Sequence, residues 1–254
     1  MAEISKTADH ALAVLLELSD RGPSTPAELA RSLDLNRTVV HRLLSTLHQR
    51  GFVTRQEDGY VPGAILVRIA NGVQPALRSQ GRAVMLELVE RIGETVVMHI
   101  PDGEEAVVLE QVVSERNIVR VEHRIGSRHP LVTGASGRAI LAFLPSMAER
   151  LVRRADNGTA LARQLESVRQ LGYALSHDEL QHGVHGVAVP VLARQGSAAA
   201  SLAVLVPTSR ATGIAQHIDV LTESASQLAE RMFGASHGNG LATGNAELGA
   251  ASSS

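Results

Sequence analysis

The chain has no cysteine and no tryptophan. Without thiols there is no disulfide framework, no thiolate nucleophile and no sulfur-ligated metal site. Aromatic residues make up 2% of the 254 positions, too few for the stacking platforms that hold single strands and RNA loops. An excess of one charge is also missing: 24 Lys and Arg stand against 26 Asp and Glu, a formal net charge of -2. A protein that coats nucleic acid needs a strongly basic chain, so that class is excluded. No run of 18 or more apolar residues occurs, and no basic stretch precedes the apolar residues of MAEISKTADHALAVLLELSD. Neither a membrane span nor a signal peptide is expected, which leaves a cytoplasmic location as the expectation. There is no Walker-type loop and no G-x-S-x-G elbow. The 44% hydrophobic content suffices for real cores, and the length admits one large or two modest domains.

Against this neutral background, residues 31–55 hold five arginines and one acid, a local excess of four positive charges. Apolar residues at Ala8, Ala11, Leu12, Leu15 and Leu18 predict a first helix, which Gly22, Pro23 and Pro26 end. Thr25 can cap a second, short helix, with Pro26 in its first position and Glu28 three residues after the cap. Asp34 occupies the turn that follows, where a left-handed backbone is needed and Asp tolerates it better than most residues. Asn36 caps a third helix that runs to about residue 50, and Gly51 ends it. That helix places Arg37, Thr38, His41, Arg42 and Ser45 on one side and Val40, Leu44 and Leu47 on the other. Residues 52–55 and 60–61 read as short strands, joined across Gln56-Glu57-Asp58-Gly59 by an Asp-Gly turn signal. The order helix, tight turn, cationic helix and hairpin predicts a winged helix-turn-helix. An amphipathic surface helix would explain the third helix alone, but not this order of elements. Arg37 and Arg42 are candidates for guanine or phosphate contact, Thr38 and Ser45 for short donor contacts, and His41 for donation in either tautomer. Arg55 on the wing is a candidate for the adjacent minor groove or backbone.

Residues 63–92 read as one or two helices with a break near Pro75, a linker and dimerisation element. Beyond Glu94 the runs 95–100, 106–113 and 118–123 are β-rich, 136–144 and 146–171 are helical in period, and 180–194 and 200–207 read as strands, the first entered through a loop. Residues 213–233 read as a closing helix. Strands mixed with segregated helices predict an α+β sensor-like domain. The Gly-, Ala-, Ser- and Asn-rich tail is expected to be disordered. The expected domains are therefore 1–62 for DNA binding, 63–92 for linkage, 93–234 for effector binding and 235–254 as tail.

Three further stretches, PLVTGASGRAILAFLP (130–145), VRQLGYALSHDELQHGVHGVAVPV (168–191) and ASLAVLVPTSR (200–210), join AELARSLDLNRTVVHRLLSTLHQRGFV in a combined pattern. Together they cover most of residues 5–233, and the chain so read resembles the IclR family of bacterial transcriptional regulators. The resemblance implies an N-terminal winged helix-turn-helix, a linker helix and a GAF-like effector-binding domain. It also implies homodimers or homotetramers (dimers of dimers) on palindromic operator DNA, switched by small metabolites and often repressing catabolic operons. No catalytic activity and no cofactor are expected. Two departures stand out: Val39 replaces a usual Ser or Thr, and Asp34 replaces a common Gly.

The turn Gly134-Ala135-Ser136-Gly137 opens a helix whose amides favour an anionic group, and the resemblance implies that effectors bind there. The family's small-acid sensors add an acid, a Cys and a pair of serines, which correspond here to Ser176, to Gly186, and to Ala203 and Leu205. So aligned, the pocket has lost most of its polar lining. Met98, Leu131 and Leu205 are expected to bury an apolar or aromatic effector, with one carboxylate at the 134–137 turn. Two rival readings remain. His177, Asp178, His182 and His185 lie close in sequence, and zinc accepts such ligands, although the gaps fit no closed zinc motif. Ser136 with His129 or His177 would suit a hydrolase but lacks a recognisable orienting carboxylate.

Overall fold

The computed structural model describes residues 4–234. The chain divides into two compact units between Pro75 and Ala76.

The first unit contains α1 (Lys6–Arg21), α2 (Pro26–Ser32), α3 (Arg37–Gln49), β1 (Val53–Gln56), β2 (Gly59–Pro62) and α4 (Ile65–Asn71). Its helix starts are those the sequence marks. The Thr25 hydroxyl accepts from the Glu28 amide at 3.3 Å, and the Glu28 carboxylate accepts from the Thr25 amide at 2.8 Å. This reciprocal pair satisfies two amides that the helix start would otherwise orphan. Asn36 Oδ1 accepts from the Thr38 amide at 2.8 Å, and Asp34 takes the left-handed conformation, φ 51°. Val14 and Leu18 of α1, Leu29 of α2, Val40 and Leu44 of α3 and Val53 of β1 share one core. Each such side chain contributes about 1.5–3 kcal/mol by leaving water.

The hairpin differs in detail from its turn signal. Gln56 pairs with Gly59, so the loop is Glu57-Asp58 and Gly59 already belongs to β2. The reason is a close approach. Ser24 and Tyr60 form an antiparallel bridge, and a Cβ on Gly59 would sit 2.5 Å from the Ser24 carbonyl atoms. With φ at 136° this position accepts little besides glycine.

The second unit holds one antiparallel sheet in the order β5-β4-β3-β8-β7-β6. Its strands are β3 (Thr95–Asp102), β4 (Glu105–Val112), β5 (Arg128–Pro130), β6 (Ala174–His177), β7 (Val184–Leu192) and β8 (Ala198–Pro207). The α5 (Pro75–Ile92) and α9 (Ile218–Phe233) helices supply Val84, Met85, Leu88, Leu221 and Leu228 to a core with Val96, Met98, Leu202 and Val204. A second core joins α6 (Gly134–Leu141), α7 (Pro145–Arg154) and α8 (Gly158–Leu171) to the small side chains Ala106, Ala188 and Ala203. Small residues on that face let α6 come close. This is the α+β, GAF-like arrangement.

Several local expectations are revised. Residues 118–123 form no strand; Ile118 is fully exposed and Val119 largely so, because β5 instead takes the place beside β4. The helical stretch 146–171 is broken around residues 155–157, where the Asn157 side chain caps α8. Leu180 lies in the expected loop ahead of β7, but that loop follows a further strand, β6, that was not expected. The closing segment begins as a 3-10 helix, Thr208–His217, before α9. The tail 235–254, expected to be disordered, lies outside the described residues.

Candidate DNA-binding face and ligand site

The α3 helix buries Val40, Leu43, Leu44 and Leu47 and leaves Arg37, Thr38, His41, Arg42 and Ser45 exposed. Arg55 on β1 is exposed as well. Among the described residues Arg37, Arg42 and Arg55 enter no ion pair, so their charge is available to an outside partner. A groove brings Arg37 and His41 together with Arg55, and Thr25, Gln56 and Tyr60 line it too. The wing is held to α3 by His48, whose Nδ1 lies 3.1 Å from the Val53 carbonyl oxygen and whose ring packs edge-on to Tyr60 at 6.5 Å. Val39 sits on the same outward face, 37% exposed, where an apolar group can meet a thymine methyl.

In the second unit, the face of the sheet under α6 gathers most of the expected ligand-site residues. Gly186 pairs with Ser176 on one side and Leu205 on the other. A Cβ placed on Gly186 would lie 2.9 Å from Ser176 Oγ, 3.3 Å from Leu205 Cδ2 and 3.7 Å from Ala135 Cβ. Leu205 further packs with Val97, Val108 and Val121. Ala203 and Leu131 lie in the core under α6, and Gly134, Ala135 and Ser136 are buried at that helix's start.

Two expectations for this site are corrected. Met98 points away from it. On β3 the residues opposite Ala203 and Leu205 are Val97 and Thr95; Met98 falls on the other face and packs against α5, where a Cβ on Gly81 would meet its Cε at 2.6 Å. The amide end of α6 is also not vacant. Glu179 Oε2 accepts from the Gly134 amide at 2.9 Å, and both Glu179 oxygens accept from the buried Arg138 guanidinium at 2.6 Å. Arg138 donates once more, to the Leu175 carbonyl oxygen at 2.7 Å. Partial burial would raise the Glu179 carboxyl, but the bonds from Arg138 and the Gly134 amide outweigh it and hold it below its ordinary value. A carboxylate of the protein thus takes the place expected for one on the ligand. Leu180 lies against Gly134, 2.8 Å from where a Cβ would stand.

The description of the bacterial transcriptional regulator IclR C-terminal domain matches residues 73–232, and that of the IclR helix-turn-helix domain matches residues 7–57. The chain belongs to the IclR family. Its relatives include the probable transcriptional regulator SauR of Cupriavidus necator, 32% identical over 206 residues, which span 75% of this chain and 81% of that protein. The IclR transcriptional regulator of Alicyclobacillus acidocaldarius superposes with a TM-score of 0.75 at 26% identity, over 90% of this chain and 99% of that one. An IclR homologue of Microbacterium hydrocarbonoxydans, solved in complex with 4-hydroxybenzoate, shares the fold with a TM-score of 0.77 at 22% identity, over 89% and 99% of the two chains. As an IclR-family protein, the chain is a transcriptional regulator with a DNA-binding helix-turn-helix domain.

Of the histidines of the 177–185 segment, two meet and the third stands apart. His177 Nδ1 lies 2.6 Å from His185 Nδ1, and His185 Nε2 lies 3.1 Å from Thr208 Oγ1. His182 points into solvent, its Nδ1 3.8 Å from Asp178. Among the described residues, no group of three or more His, Cys, Asp or Glu is placed to hold a metal ion. Nor is any helix among them long and apolar enough to cross a membrane.

Sequence reasoning missed the polar groups inside this IclR C-terminal domain. Thr95, His99 and Ser201 alternate in phase with Val97 and Ala203, and all three are buried. The interior is therefore more polar than the alignment of four positions implied. The available signal was a single His within the otherwise apolar run 96–100.

Proposed function

We propose that this regulator represses a catabolic operon, binding a palindromic operator as a dimer or dimer of dimers and releasing it when a metabolite enters the α6–sheet interior. Recognition falls to Arg37, Thr38, His41, Arg42 and Ser45 in the major groove, with Arg55 reaching the neighbouring backbone or minor groove. The observation that carries this reading is the unpaired cationic face of α3 continued by Arg55 of the wing. Residues 63–92 supply the dimer contact, so that two recognition helices address successive major grooves.

The effector is a small molecule with an apolar or aromatic body. Leu205, Leu131, Ala135 and Ala203 supply apolar surface, and Gly186, lacking a side chain, lets Ser176, Leu205 and Ala135 meet around it. The bound 4-hydroxybenzoate of the Microbacterium homologue supports an aromatic class. A ligand can shift a DNA-binding equilibrium only through unequal affinity for the two states. Closure of the α6 end by Glu179 and Leu180 in this state supplies such an inequality. The test is release of fluorescently labelled upstream DNA from the purified protein by a panel of acids. Aromatic compounds are expected to release it, and pyruvate and glyoxylate are not. Release by the two small acids alone would reject the apolar-bodied effector.

A further inference from the structure

His99 has no exposed surface, and neither of its ring nitrogens has a hydrogen-bond partner. Ser201, directly across from it on β8, has an unpartnered Oγ, and the buried His129 of β5 has an unpartnered Nε2. The His99 ring lies 5.2 Å from that of His129 and 6.1 Å from that of His123. Buried polar groups are nearly always paired, so a cluster left open marks a place for something else. The cluster borders the ligand site: a Cβ on Gly134 would stand 3.8 Å from His129 Cε1, and Val108, which pairs with His99, packs with Leu205.

His129 Nδ1 lies 3.2 Å from the Pro130 carbonyl oxygen, so Nδ1 carries the proton and Nε2 presents a lone pair. Burial holds His129, His123 and especially His99 below their ordinary values, which leaves neutral rings. A neutral His99 offers one N–H and one lone pair. A carboxylate cannot donate to His129 Nε2, and a hydrocarbon answers neither ring. A hydroxyl donates to one ring and accepts from the other.

We propose that His99 and His129, with Ser201 beside them, form the inner polar end of the effector site and select ligands that carry a hydroxyl group. This rests on the reading that the α6–sheet interior is the effector site. It assigns that site a second polar group besides Glu179 and makes a hydroxylated ring the preferred class.

The test is calorimetric titration of the full chain with two matched pairs, phenol against toluene and 4-hydroxybenzoate against benzoate. An unanswered buried polar group costs about 1–3 kcal/mol, so the hydroxyl is expected to tighten binding at least about ten-fold. In His99→Phe the preference disappears, while His99→Gln, which keeps a donor and an acceptor, retains part of it. Thermal unfolding without ligand serves as the control: if the imidazole waits for a ligand, His99→Phe is as stable as the parent or more so. Equal affinities within both pairs, a preference that survives in His99→Phe, or no binding by any of the four overturns the proposal. So does zinc that raises the unfolding midpoint of the parent but not of His99→Phe, which would make the cluster a metal site. The effector reading fails separately. If an unhydroxylated metabolite releases DNA and Gly186→Val blocks that release, the site stands and the hydroxyl reading falls. If release by any compound is untouched by Gly186→Val, the site itself is misplaced.

Discussion

Arg42 is useful because no acid among the described residues claims it: it is exposed on α3, nearly two turns from the Asn36 cap, and enters no ion pair with them. If it reads a guanine, Arg42→Ala costs about 1–3 kcal/mol at one base pair and relaxes the sequence preference there. If it meets phosphate, affinity falls evenly across sequences and the salt slope drops by about 1. Fluorescence anisotropy on a panel of single-base operator variants separates the two. The buried histidines give a second residue-scale expectation. Burial holds His99, His123 and His129 below their ordinary value of 6.5, and unfolding restores it. Below that pH the unfolded chain takes up protons that the folded chain refuses, so stability is full above it and declines as the pH falls through it. The thermal midpoint is expected to fall between about pH 7.5 and about pH 5.5, and less steeply in His99→Phe. A midpoint that does not move over that range would contradict the burial of these rings.

At the scale of elements, the wing and the 178–183 loop each make a contact that a substitution can break. Gly59→Ala places a methyl against the Ser24 carbonyl; the Ser24–Tyr60 bridge must open, and stability is expected to fall by about 1–3 kcal/mol, readable in urea unfolding. Glu179→Ala strips the buried Arg138 of its carboxylate and is expected to cost about 3 kcal/mol at most, since Glu179 is only partly buried and Arg138 keeps the Leu175 carbonyl. No change on chemical denaturation would show that the pair is not formed in solution. The helices of the first unit were legible because their signals are local: Thr25 with Glu28, Asn36 and Asp34 act within one turn of where they stand. The short strands β5 and β6 were not, because three or four residues carry little period and their pairing partners lie far along the chain. The alternation at 118–123 suggested a strand, but the edge of β4 was already taken by β5. The β3 strand is buried on both faces, so its run of apolar residues gives no parity. Met98 was therefore placed on the wrong face and His99 overlooked, and only the pairing of Val97 with Ala203 resolves the phase.

For the whole molecule, the division at Pro75 explains why the two activities could be read separately. Each unit has its own core, and the candidate residues for DNA lie in the first and those for the ligand in the second. Residues 63–92 read as one linker, yet α4 belongs to the first unit and nearly all of α5 to the second, where Val84, Met85 and Leu88 are core residues. The pattern of α5 alone did not reveal that, because its apolar side faces a sheet assembled later in the chain. The central claim is that this chain reads DNA through an exposed cationic helix. It is tested most directly by titrating the purified protein onto its own upstream intergenic DNA and onto a shuffled copy, at several salt concentrations. Two heads, each placing Arg37, Arg42 and Arg55 on the backbone or bases, predict specific binding at least about a thousand-fold tighter than to shuffled DNA. They also predict a loss of about a thousand-fold between about 50 and 200 mM salt. Equal binding to both fragments with little dependence on salt would contradict the account.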